Sequence, residues 1–89
     1  MSGVRRVLGI DPGLTRCGVG VVDVDPMRRG TLVHVGVIRT PVDAPIGERL
    51  AAVAAGIRAV IAEHATDAVA VERVFAQQNT ATVMVKAQA

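Results

Sequence analysis

The feature that most constrains the fold is an apolar run, Val7 to Ile10, which ends in the carboxylate of Asp11 and then turns at once. A continuous apolar run bounded by a turn is typical of a strand that is buried on both faces of a sheet. Asp11 is therefore predicted at the carboxyl end of a central strand, where ligands collect in open α/β sheets. A charge at that position is unfavourable unless something compensates it, and a divalent cation is one candidate. The alternative is a plain turn, because Pro12 and Gly13 are turn formers.

A second apolar run, residues 68–71, ends in Glu72 and follows a predicted helix over 45–64. The helix is indicated by apolar residues that recur at helical spacing; they are Ile46, Leu50, Val53, Ile57, Val60 and Ile61. A strand, a helix and a strand in succession predict a crossover to a parallel neighbour. We therefore expect Asp11 and Glu72 to lie side by side at one edge of the sheet.

The remaining segments complete an α/β pattern of three strands, a helix, a strand and a helix. The predicted strands are 4–11, 17–24, 31–39 and 68–72, and the predicted last helix is 79–89. Gly18 and Gly20 leave one strip of the second strand bare, which allows close approach by a ligand or another backbone. Arg49, on a polar side of the first helix, is expected to be solvated.

Composition sets outer limits on the function. The chain has 89 residues, 51% of them hydrophobic and 1% aromatic, which suits one small domain. Its single cysteine excludes an internal disulfide and a cysteine-based zinc cluster. No stretch reaches the roughly 18 apolar residues of a membrane span, and no signal-peptide core is present, so a cytoplasmic protein is expected. Nine of the ten basic residues are arginine, which mildly favours phosphate contact.

Two carboxylates on neighbouring parallel strands can share a hard cation. Mg²⁺ typically takes one or two carboxylates together with waters and substrate phosphate oxygens. A pair of such ions stabilises the attacking and leaving oxygens in phosphodiester cleavage. Other chemistries fit less well, because Ser2 is terminal and leaves Ser-His-Asp catalysis without a candidate nucleophile, and because no Gly-x-x-x-x-Gly-Lys-Ser/Thr loop is present.

Several short motifs, in order along essentially the whole chain, resemble the N-terminal half of the RuvC family of Holliday-junction resolvases. They are Gly9-Ile10-Asp11-Pro12-Gly13 with Gly18, then Ile38-Arg39-Thr40, then Glu72-Arg73-Val74-Phe75 and Asn79. The resemblance implies a ribonuclease-H-like fold with a mixed five-stranded sheet and helices on both sides. It also implies a homodimeric endonuclease of recombination and repair, which cuts two opposing strands of a four-way DNA junction with Mg²⁺ or Mn²⁺.

Residue by residue, Asp11 and Glu72 match the first two acidic, metal-binding catalytic residues of that family. Phe75 matches an aromatic residue that stacks on bases near the crossover, and its alternative is an ordinary core phenylalanine. The expected DNA contacts also include Arg73 and Lys86, although other family members can carry a different polar residue in place of Arg73.

The last predicted helix, opened by Asn79, looks like the family's dimer helix. Its apolar residues Val83, Met84 and Ala87 are expected at the dimer interface. A partnership with the RuvA–RuvB branch-migration complex is implied by the resemblance alone.

The sequence departs from the family at its end. The family completes its site with two aspartates, three residues apart on a late helix, and this chain stops before them. We therefore expect residues 1–89 to be a single incomplete nuclease domain, truncated at the C-terminus, which alone binds metal weakly and cleaves little or nothing.

Three alternatives stay open at this point. One is a ribonuclease-H-like nuclease of the YqgF type, although the Val-Phe pair after Glu72 favours RuvC. Another is a phosphate-binding domain of the actin and sugar-kinase type, which usually shows Asp-x-Gly-Thr rather than Asp-Pro-Gly-Leu-Thr. The third is a non-catalytic piece that only dimerises or docks on DNA.

Overall fold

A five-stranded mixed sheet forms the framework of the chain. The computed structural model describes residues 3–75 and 80–86, and the side chains of residues 3–72. The elements are β1 (Arg5–Asp11), β2 (Arg16–Val24), β3 (Gly30–Arg39), α1 (Ile46–His64), β4 (Ala68–Phe75) and β5 (Thr80–Lys86). In space the strands follow the order β3-β2-β1-β4-β5.

The centre of the sheet is the parallel pair of β1 and β4, in which Leu8 is paired with Val69 and Ile10 with Val71. Antiparallel hairpins place β2 beside β1 and β3 beside β2. The predicted order of the first five elements and the parallel placement of β4 next to β1 are confirmed. This topology brings the carboxyl ends of both central strands to the same edge of the sheet.

Helix α1 covers one face of the sheet and closes the core. Leu8 and Val21 are fully buried there, and Val19 is 5% exposed. The C-terminal half of α1 packs on this cluster through Ile57, Val60 and Ile61. Cys17 is also buried, as expected for a small apolar side chain.

The N-terminal half of α1 is less covered than its apolar pattern predicts. Ile46 is 65% exposed and Leu50 is 56% exposed. Leu50 and Val53 line a groove of about 280 Å³ between the helix and the turn after β1. The helix itself lies within one residue of the predicted 45–64.

The predicted helix over 79–89 is wrong for residues 80–86, which form β5 and pair antiparallel with β4. Two of the seven residues are threonine and two are valine, and β-branched side chains favour a strand over a helix. Without β5, the outer edge of β4 would carry unpaired N–H and C=O groups, and a strand there pairs them. Strand β4 runs three residues beyond the predicted end at Glu72. Residues 79 and 87–89 lie outside the described residues.

Candidate active site

The carboxylates of Asp11 and Glu72 meet at one edge of the sheet. Ile10 is paired with Val71 in the parallel ladder, so the next residue of each strand is one of the two acids. Both side chains line an open groove of about 530 Å³ on the face that α1 does not cover. The adjacency expected from the two apolar runs is therefore present, while the catalytic roles of the two residues stay predictions.

The groove is shaped by small and β-branched residues of β1 to β4; its lining is Gly9, Ile10, Asp11, Gly18, Val19, Gly20, Val35, Gly36, Val37, Ala70 and Glu72. Gly18 lies directly opposite Asp11 in the β1–β2 ladder. A Cβ atom at Gly18 would lie 3.5 Å from the Asp11 Cβ atom. The bare strip predicted for β2 thus leaves the space beside the Asp11 carboxylate open.

The Asp11 carboxylate perturbs the Glu72 carboxyl. The pKa of the Glu72 carboxyl is raised, first by a side-chain hydrogen bond to Asp11, then by the charge of Asp11, then by partial burial. The hydrogen bond raises this pKa because the protonated Glu72 carboxyl can donate to Asp11, and the ionised one cannot. Two ionised carboxylates within hydrogen-bonding reach of each other repel, and a divalent cation between them would remove that repulsion.

A hydrogen-bonded clasp around Thr40 holds the turn that follows Asp11. Thr40 is 6% exposed, its hydroxyl donates to the Leu14 carbonyl oxygen at 2.5 Å, and its amide donates to the Thr15 carbonyl oxygen at 3.1 Å. Arg49 donates from Nε to the Thr40 hydroxyl at 3.0 Å and from Nη2 to the Thr15 hydroxyl at 2.8 Å. The clasp fixes the backbone between β1 and β2, and hence the exit of the chain from Asp11.

Sequence reasoning missed this clasp. Arg49 was expected to be solvated, yet it contacts Thr40, Thr15 and the carbonyl oxygen of Val42. The available signal was the position of Thr40 within the Ile38-Arg39-Thr40 motif. Local pattern alone could not show that a helix side chain reaches back to a distant turn.

The fit of Asp11 and Glu72 to a hard cation depends on their number and on their donor atoms. Two carboxylates are within the number that Mg²⁺ takes from a protein, and oxygen is the donor it prefers. Within residues 3–72, whose side chains are described, no three His, Cys, Asp or Glu side chains are grouped to hold a metal ion. The pair therefore fits a hard cation as two ligands of an incomplete set.

The other predicted site residues lie where no side chain is described. Arg73 and Phe75 belong to the last part of β4, beyond the predicted end of that strand at Glu72. Val83, Met84 and Lys86 belong to β5, and Ala87 lies outside the described residues. Grouping Val83, Met84 and Ala87 on one face depended on a helix, so that interface no longer follows from the fold.

Comparisons with known proteins point to one family. The sequence model of "Crossover junction endodeoxyribonuclease RuvC" matches residues 7–89. A protein of that name from Leifsonia xyli is 63% identical over 83 residues, which are 93% of this chain and 40% of the relative. One from a Nocardioides species is 61% identical over 84 residues, which are 94% of this chain and 48% of the relative.

Similarity to solved structures agrees with the sequence matches. The structure "T. thermophilus RuvC in complex with Holliday junction substrate" superposes with a TM-score of 0.73 at 38% identity, covering 80% of this chain and 43% of that one. The expected mixed-sheet fold class is thereby confirmed. This chain spans about half the length of these relatives or less, since the matched segments cover 40%, 48% and 43% of them. None of the described helices is long and apolar enough to cross a membrane.

Proposed function

Since the chain belongs to the RuvC family of crossover junction endodeoxyribonucleases, we propose that it forms the N-terminal part of an enzyme that cuts four-way DNA junctions. The reaction is hydrolysis of a phosphodiester bond in recombination and repair. The observation that carries this proposal is the meeting of Asp11 and Glu72 at the carboxyl end of two parallel strands, in an open groove. The match over residues 7–89 favours this function over the YqgF and sugar-kinase alternatives.

Asp11 and Glu72 are proposed to hold Mg²⁺, or Mn²⁺, against the phosphate that is cut. When bound, such an ion supplies electrostatic stabilisation of the oxygens that attack and leave the phosphorus. The protein's own contribution is position: the ladder fixes the two carboxylates, and the Thr40 clasp fixes the turn beside them. Because a bound cation would relieve the repulsion between the two carboxylates, cation binding is favoured at the pH where Glu72 is ionised.

The proposed whole enzyme is larger than these 89 residues. The matched segments cover only 40% and 48% of the two relatives, and two carboxylates are fewer ligands than a two-ion site needs. We therefore propose that 1–89 is an incomplete domain that cleaves little or nothing alone. A homodimer, a RuvA–RuvB partnership and a place in the cytoplasm beside its DNA substrate are proposed from the family.

The test uses Asp11→Asn in the full-length protein, meaning this sequence continued to the length of its relatives. Binding of a four-way junction and single-turnover cleavage are measured separately in Mg²⁺. We expect junction binding within a few-fold of the wild type and a loss of cleavage of about 100-fold or more, because a metal ligand is removed. Wild-type cleavage per bound complex in Asp11→Asn would contradict the proposed role.

A further inference from the structure

Four charged residues form a row across the edge of the sheet that carries Asp11. In strand order they are Arg39 on β3, Arg16 on β2, Asp11 on β1 and Glu72 on β4. Arg16 and Arg39 are direct partners in the β2–β3 ladder, and Asp11 is the partner of Gly18, two residues from Arg16. The edge is thus basic on one side and acidic on the other.

The two arginines stand on the open face of the sheet, the face of the groove. Alternate strand residues point to opposite faces. Cys17 is buried under α1, and Ile38 packs against the core cluster, so their neighbours Arg16 and Arg39 point the other way. Both arginines are exposed.

Neither arginine has its charge compensated within the described side chains. The arginine ion pairs found there join Arg6 to Asp23 and Arg29 to Asp25. Like charges on directly opposed strand positions destabilise a sheet. An anion between Arg16 and Arg39 would remove that repulsion, in the same way that a cation would remove the repulsion between the two acids.

The spacing of the row suits one DNA strand. Arg16 is the diagonal neighbour of Asp11 across β1 and β2, a separation of about 7–8 Å. A phosphate held by the arginines would therefore lie close to the phosphate at the carboxylates. The Thr40 amide, which donates to the Thr15 carbonyl oxygen, fixes the backbone immediately next to both arginines. Guanidinium groups bind phosphate bidentately and remain charged.

We propose that Arg16 and Arg39 form a phosphate-binding pair that holds the DNA strand to be cut, adjacent to the phosphate at Asp11 and Glu72. This inference rests on the proposed function. The ligand is a backbone phosphodiester, so the pair contributes affinity and register without reading base sequence.

The experiment compares the double variant Arg16→Gln/Arg39→Gln with Arg58→Gln in the full-length protein. Arg58 is an exposed arginine of α1, the helix on the opposite face of the sheet, and serves as the control for loss of an arginine away from the groove. Dissociation constants for a four-way junction are measured over a range of salt concentrations, and cleavage of the bound junction is measured in a single turnover. Equal melting temperatures establish that each variant is folded.

We expect the double variant to bind at least about ten-fold more weakly at physiological salt, because hydrogen bonds between charged groups are lost. The slope of log affinity against log salt should fall by about 0.7 to 0.9 for each phosphate contact removed. Arg16→Lys/Arg39→Lys should keep most of that slope, because both charges remain. Arg58→Gln should change neither quantity.

Affinity and salt slope in the double glutamine variant equal to those of Arg58→Gln would overturn the proposal. The proposal would also be overturned if the lysine variant lost as much affinity and as much salt slope as the glutamine variant, since loss of charge would then not explain the weaker binding. Asp11→Asn in the same assay keeps the two proposals apart. Its failure to cleave supports the nuclease site whatever the arginine variants show.

Discussion

Both ends of the central strands carry charged residues, but among the side chains of residues 3–72 only one end pairs them with opposite charge. Where β1 begins, the Arg6 guanidinium donates to the two carboxylate oxygens of Asp23 at 2.7 and 2.9 Å and to the His64 carbonyl oxygen at 3.0 Å. The Arg6 amide donates to Asp67 at 2.7 Å. Where β1 ends, Asp11 faces a second acid, Glu72.

The two ends shift pKa values in opposite directions. The hydrogen bond and charge of Arg6 hold the pKa of Asp23 below its ordinary value. The hydrogen bond and charge of Asp11 raise the pKa of Glu72. The first arrangement stabilises the fold, because each charge has a partner inside the chain. Within the described side chains the second leaves charge uncompensated, which is typical of a site that is completed by a ligand.

The difference in role between the two ends is tested most strongly by a pair of matched substitutions, Glu72→Gln and Asp23→Asn, in the full-length protein. Each removes one negative charge and keeps the size of the side chain. We expect Glu72→Gln to slow single-turnover junction cleavage by about 100- to 1,000-fold, because it removes a proposed metal ligand. Asp23→Asn should leave the rate of the folded protein within a few-fold of the wild type.

Melting curves of both variants serve as the control. Asp23→Asn should lower the melting temperature, whereas Glu72→Gln should keep or raise it in metal-free buffer. A cleavage defect of equal size in the two variants would show that the two ends do not differ in role.

A smaller effect is expected at the Thr40 clasp, which gives the acidic end its rigid backbone. Thr40→Val keeps the shape of this buried side chain but leaves the Leu14 carbonyl oxygen without its donor and Arg49 Nε without its acceptor. Urea denaturation should show a loss of about 1–3 kcal/mol in the free energy of unfolding. Thr31→Val, at an exposed strand position, is the control and should stay within about 0.5 kcal/mol. Equal losses in the two variants would contradict the clasp.

The smallest expected effect is the pH dependence of the Arg6–Asp23 pair, which is partly exposed and screened by solvent. Because the pKa of Asp23 is lowered in the folded chain, its stabilisation is fully present above its ordinary value of 3.8. The stabilisation is lost as the pH falls through the folded pKa. The difference in unfolding free energy between wild type and Asp23→Asn should therefore shrink in acid, and a constant difference would contradict the assignment.

The central part of the site could be predicted from sequence because it depends on strand pattern. Two apolar runs that each end in an acid predict central strands, and a helix between them predicts that they are parallel neighbours. The glycines of β2 similarly indicate open space on one face. These inferences need only alternation and crossover rules, which are local or topological.

The features that the sequence did not predict depend on long-range contacts that no local pattern specifies. The Arg49 side chain reaches Thr15, 34 residues away in sequence. Arg6 and Asp23 look like ordinary solvated charges until β1 and β2 are placed side by side. For residues 80–86 the apolar pattern is compatible with a helix or a strand, and pairing with the edge of β4 decides between them.

The most direct test of a cation shared by the two acids is anomalous diffraction from crystals of the full-length protein soaked in Mn²⁺. The expected result is an anomalous peak within about 2.0–2.3 Å of a carboxylate oxygen of Asp11 and of Glu72, which disappears in Asp11→Asn crystals. A Mn²⁺ ion bound to only one of the two acids, or none at this edge of the sheet, would contradict the account.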